Sequence, residues 1–237
     1  MMVPPGMVRF RESDLIPISD NKLNREPTIT QEEIDVKGHT DEYKVYEYPD
    51  DNIKIYSNIN IDDYLVNEVK THYNKLPMKL RNNVSEIVIT KRGTSMGWVE
   101  ESEIQRGMKR LYVNPRNCTN EIGKTYKDTI IHEIAHLMDI NQSLKFTISD
   151  NSFFKTGFNS DDTLMLSKKL KGYDTDYSRK NIFSSRYAYR SYSRYPDRPY
   201  SEEWAEAVMK YLNPKTHESF VAKFPHKAEV LRNIIYF

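Results

Sequence analysis

Residues 126–140 read YKDTIIHEIAHLMDI. Apolar side chains at Ile130, Ile131, Ile134, Ala135, Leu137 and Met138 recur at three- and four-residue intervals, the spacing of a helix that buries a broad face. Neither glycine nor proline interrupts the stretch, which makes it the most convincing helix in the chain. The flanking pairs Ile130-Ile131 and Leu137-Met138 require that helix to be largely buried. Polar residues within it then need a reason, because an imidazole or carboxylate taken out of water without a partner is costly.

Those polar residues are His132, Glu133 and His136, in the order HEIAH. Four residues advance a helix by about 1.1 turns, so the two imidazoles leave the same face, about 5–6 Å apart at Cβ. That separation suits one tetrahedral zinc ion. Glu133 lies about 100° round the helix, badly placed as a ligand but well placed to take a proton from a water beside the metal.

A catalytic zinc needs a third protein ligand and an open position. Gly and His at the third and sixth positions after the second His would mark the metzincins, but Asp139 and Gln142 stand there. His39, His72, His217 and His226 fall in no paired pattern and read as structural or surface residues. A carboxylate from a later helix remains. Residues 201–207, SEEWAEA, offer Glu202 and Glu206 four apart on one face, with Glu203 pointing elsewhere.

HEIAHLMD, followed about 60 residues later by Y-x6-E-x-x-A-E-A, resembles the protease domain of anthrax lethal factor and the related Pro-Pro endopeptidases, a gluzincin family of zinc metalloproteases. The resemblance covers roughly residues 85–235; residues 1–40 have no counterpart in it. It implies an α+β, zincin-like domain with a small mixed sheet, an HExxH active-site helix and a helical C-terminal part. It also implies one zinc ion per chain and peptide-bond hydrolysis by a metal-activated water. Residue by residue, His132, His136 and Glu202 would bind zinc, Glu133 would be the general base and Tyr195 would face the developing oxyanion. Glu206 would orient a ligand histidine from behind, and Asp139 matches an acidic position three beyond the second histidine. Tyr187, Tyr189, Tyr192 and Tyr200 surround Tyr195, so Tyr192 or Tyr200 could serve instead if the loop is rearranged.

Working outward, Tyr43, Val45 and Tyr46, then Ile53, Ile55 and Tyr56, alternate around Pro49-Asp50-Asp51-Asn52 as two short strands and a turn. Ile61, Tyr64, Leu65, Val69, Tyr73 and Leu76 follow helical spacing up to Pro77. Ile87-Val88-Ile89 reads as a short buried strand, residues 91–109 as a long loop containing Trp98, and RLYVN at 110–114 as a strand. Pro115 immediately after it points to a sheet edge, where an extended peptide substrate would pair. The loop 93–107 would form one rim of the cleft. Two helices close the chain, around 201–212 and 216–235. Prolines 4, 5, 17 and 27 break up the first 40 residues, which read as an arm preceding a single domain at 41–237.

Lysine and arginine number 35 against 34 acids, a formal charge of +1, and a single cysteine excludes disulfide frameworks and multi-cysteine metal sites. Seventeen tyrosines against nine phenylalanines place much of the apolar area on rings that need a hydrogen-bond partner when buried. No apolar run approaches the roughly 18 residues of a membrane span, and MMVPPGMVRFRESD lacks the core of a secretion signal. The expectation is a cytoplasmic protein, or one delivered by another route such as a toxin complex or a virion.

Two competing readings stay open. Residues 168–198 interleave lysines and arginines with tyrosines, a pattern that can track a phosphate backbone, although Asp174, Asp176, Asp197 and the near-neutral chain argue against nucleic acid. Alternatively the fold is kept without the activity, as a structural or binding module.

Overall fold

The computed structural model describes residues 26–117, 125–141, 148–149, 152–170, 179–194 and 198–237. Six strands form one mixed sheet: β1 (Thr28–Val36), β2 (His39–Tyr48), β3 (Ile53–Asn58), β4 (Glu86–Ile89), β5 (Gly97–Trp98) and β6 (Arg110–Val113), in spatial order β1-β2-β3-β4-β6-β5. The β1–β2–β3 meander is antiparallel, β3, β4 and β6 run parallel, and β5 returns antiparallel to β6.

Strand side chains alternate faces, and the sequence exploits this. Tyr46, Ile53, Ile55, Ile87, Ile89, Leu111 and Val113 face the main core, whereas Val36, Tyr43, Val45, Tyr56, Val88 and Tyr112 form a smaller cluster on the opposite side. The buried tyrosines find partners: the Tyr43 hydroxyl donates to Thr90, Tyr46 to Asp63 and Tyr112 to Glu103.

The helices are α1 (Asp63–Asn74), α2 (Met78–Arg81), α3 (Glu101–Gln105), α4 (Tyr126–Asn141), α5 (Ser152–Leu170), α6 (Arg186–Arg194), α7 (Ser201–Leu212), α8 (His217–Lys223) and α9 (Pro225–Tyr236). Residues from α1, α4, α7 and α9 share the main core, giving an α+β architecture. Among the described residues, no helix is long and apolar enough to cross a membrane. The expected strands at 43–46 and 53–56, the helix ending before Pro77 and the helix at 126–140 all appear.

Three expectations need correction. Of the stretch read as an arm, residues 1–25 lie outside the described residues, while Thr28–Val36 form β1 and pair with β2 along their whole length, so a boundary at residue 40 falls inside that hairpin. Its side chains are almost all exposed, leaving no apolar alternation to mark it. Second, β6 is not the sheet edge at the cleft, because β5 pairs with Tyr112 and Val113, and Asn114 N–H extends the ladder to the Met96 carbonyl. Pro115 lies just beyond the last ladder bond, where its missing N–H costs nothing. Third, the final helix is two: Pro225, which cannot donate to the previous turn, starts α9, and Asp161 accepts from His226 N–H and Lys227 N–H at its first turn.

Candidate metal centre

The centre is assembled by two helices packed face to face. Thr125 and Asp128 cap α4 reciprocally, the Asp128 carboxylate accepting from Thr125 N–H at 3.0 Å and Thr125 Oγ1 from Asp128 N–H at 3.3 Å. Asp128 also accepts from Asn213 Nδ2 at 2.7 Å, which ties the start of α4 to the end of α7. Midway, the fully buried Trp204 donates from Nε1 to the Ala135 carbonyl at 2.9 Å. A tryptophan bonded into the middle of HEIAH fixes the helices' relative height, and Glu202, two residues earlier, then faces His132 and His136.

His132 Nε2 lies 3.1 Å from His136 Nε2, and Glu202 Oε2 lies 3.2 Å from the first and 3.5 Å from the second. Three potential electron-pair donors thus converge on one point. Glu202 Oε2 is buried and accepts no hydrogen bond. Such an arrangement is repulsive unless a proton or a cation sits among the three atoms. Burial pulls the His136 imidazolium down, but Glu202, backed by Glu133 and Asp139, outweighs it and raises the pKa to about 9. Burial likewise works to raise the Glu202 pKa, yet the neighbouring imidazoles of His132 and His136 hold it far below the carboxylate range. These residues could hold a metal ion, and no other His, Cys, Asp or Glu trio among the described residues brings its ligand atoms so close.

The groups behind the trio bear on their orientation. Ser201 Oγ stands 3.2 Å from His136 Nδ1, and Glu206 Oε1, on the buried face of α7, stands 3.5 Å from His132 Nδ1. Hydrogens at both Nδ1 positions leave both Nε2 lone pairs facing inward. The fully buried Asp139 accepts from Ser149 N–H at 2.6 Å, fastening the turn at 148–149 onto α4 and adding negative charge behind His136.

Glu133 lines a cleft of about 670 Å³ in front of the trio, with Thr94, Ser95, Met96 and Gly97 along one wall. Of the loop 93–107 expected to form a rim, residues 94–97 line the cleft. Trp98, on the opposite strand face, stacks on Tyr112 at 4.9 Å instead. Asn114 and Asn117 amides bind the carbonyls of Arg92, Gly93 and Ser95, so the rim is held from beneath. Gly97 is demanded by proximity: a Cβ there would lie 2.5 Å from Thr129 Cγ2 and 2.9 Å from Glu133 Cγ. Gly97→Ala is expected to cost about 1–3 kcal/mol through overpacking, with Thr129→Ser relieving part of it. Urea unfolding of the two single variants and the pair checks this; an unchanged Gly97→Ala midpoint would refute the close fit.

Tyrosine placement differs from expectation. Tyr195 lies outside the described residues. Tyr192 and Tyr200 pack against each other at 5.3 Å, Tyr192 also against Phe183 and Tyr200 against Phe158, and neither is among the described residues that line the cleft. Tyr187, in the first turn of α6, lines the cleft, and its hydroxyl donates to Glu202 Oε1 at 3.3 Å. Tyr187 had no distinguishing signal beyond membership of the tyrosine cluster. His217 packs on Tyr211, and burial drops the His72 pKa to about 4; neither belongs to the trio. Comparison with family models, curated proteins and solved structures finds no match for this chain.

Proposed function

We propose that this chain is a zinc-dependent endopeptidase of the lethal factor-like gluzincin type, with His132, His136 and Glu202 as ligands. The observation that carries the reading is the spacing of the three ligand atoms, 3.1, 3.2 and 3.5 Å. Nitrogen and oxygen atoms about 2.0–2.1 Å from one tetrahedral zinc stand about 3.3–3.4 Å apart, which these distances bracket. Zinc so held would supply a Lewis acid that acidifies water and polarises a carbonyl.

The chain's own groups account for the rest. Glu133, buried at the back of the cleft, accepts the attacking water's proton and returns it to the leaving amine. Tyr187, whose phenol already reaches the ligand carboxylate, donates to the oxyanion that develops beside it. A substrate lying extended pairs with the outer edge of β5, main chain to main chain, with alternate side chains turned toward the cleft. The rigid rim and the two-residue length of β5 confine that pairing to the residues around the scissile bond.

The test is cleavage of a degenerate peptide library by the full chain. Turnover should vanish on chelation and return with added zinc, and Tyr187→Phe should lower kcat by about a hundredfold with zinc retained. Cleavage indifferent to chelation would remove the metal from the reaction. A Tyr187→Phe variant with parental kcat would return the donor role to Tyr195.

A further inference from the structure

Granting the endopeptidase reading, on which this inference rests, we propose that the cleft selects acidic peptides, read by Arg116 in its wall and by Arg186 and Arg190 on α6. Arg81, Arg92, Arg110 and Arg198 each meet a carboxylate within 4.0 Å. Arg116, Arg186 and Arg190 are exposed, and among the described residues their guanidinium groups meet no hydrogen-bond or ion-pair partner. Arg116 stands in the cleft wall, and Arg186 and Arg190 stand on the helix that brings Tyr187 to the cleft.

Among the described residues, Arg116 is the sole lysine or arginine lining the cleft, and the only acid there, Glu133, is committed to the proton transfer. Its backbone is anchored, with Arg116 N–H donating to Asn114 Oδ1 at 3.1 Å just past the end of β6. The side chain therefore starts from a fixed point and ends without a partner.

On α6, Ala188 and Ser191 are buried while Tyr189 and Tyr192 pack on Phe183, which turns Arg186, Arg190 and Arg194 outward at four-residue spacing. Like charges at that spacing repel, so the stripe is a cost to the isolated helix. It begins beside Tyr187, hence at the metal centre. Arginines four apart on a helix are about 6 Å apart along the axis, and alternate residues of an extended chain are about 6.6 Å apart. Aspartates or glutamates at every second position of a bound peptide thus come into step with the stripe. Nucleic acid fits less well, because Tyr189 and Tyr192, which would have to stack bases, are packed against Phe183.

The experiment uses the zinc-loaded full chain and end-blocked peptide libraries with Glu, Ala or Lys fixed at alternate positions. The Glu library should be cleaved about tenfold faster than the Lys library at low ionic strength, the ratio shrinking as salt rises. Combining Arg116→Glu, Arg186→Glu and Arg190→Glu should reverse the order while zinc content and Tm stay at parental values. Equal cleavage of all libraries, or a preference untouched by the triple variant, would overturn the proposal. Binding of the labelled libraries to zinc-loaded Glu133→Gln protein reads recognition without turnover. About tenfold tighter binding of the Glu library supports it, and equal binding overturns it. A single-stranded oligonucleotide of equal charge that displaces the acidic peptides would overturn the peptide assignment. If nothing is cleaved but acidic peptides bind and the triple variant loses them, acidic recognition stands and the endopeptidase reading falls.

Discussion

Glu133→Gln protein is expected to carry as much zinc as the parent and to cleave peptides at least about a thousandfold more slowly. The amide keeps the side chain's volume in a place where Gly97 and Thr129 leave no slack. It cannot accept a proton, so water in the cleft loses its base while the ligand trio, which does not include Glu133, is untouched. Zinc content and peptide turnover of the same preparation decide the matter. Retained turnover in the zinc-loaded variant would show that another group takes the proton.

Lys227→Met is expected to cost about 3–5 kcal/mol, a large part of the stability of an ordinary domain. Lys227 and Glu203 are both fully buried and joined at 2.7 Å. The lysine also donates to the Ile182 carbonyl and lies over the Phe224 ring at 3.9 Å, while Glu203 accepts from Ser184 N–H and Oγ. Removing the cation strands a carboxylate in the core; removing both charges with Glu203→Gln and Lys227→Met should recover much of the loss. The pair clamps α9 and the segment leading into α6 onto α7 one residue past Glu202. Urea unfolding measures it, and a single variant as stable as the parent would contradict the burial of the pair.

Local periodicity explains which features were legible. His132, His136, Glu133 and the carboxylates of α7 lie in helices whose 3.6-residue pattern places them on known faces, and the structure brings His132, His136 and Glu202 together. Helical spacing turns Glu203 away from that face, but its destination, Lys227, depends on α9 folding back across the core. β5 is too short to show a period, so sequence alone leaves β6 at the sheet edge. β1 is hidden by its exposure on both faces. Sequence does not choose the tyrosine at the trio, because it depends on how α6 packs: Tyr192 and Tyr200 join the Phe158 and Phe183 cluster, while Tyr187 lines the cleft and reaches Glu202.

Metal content bears most directly on the whole account. Native mass spectrometry of the full chain with limiting zinc should find one ion per chain, and Glu202→Ala should weaken binding by at least about tenfold without unfolding the protein. A parent chain that stays metal-free in excess zinc, or a Glu202→Ala chain that binds it equally well, would contradict the account.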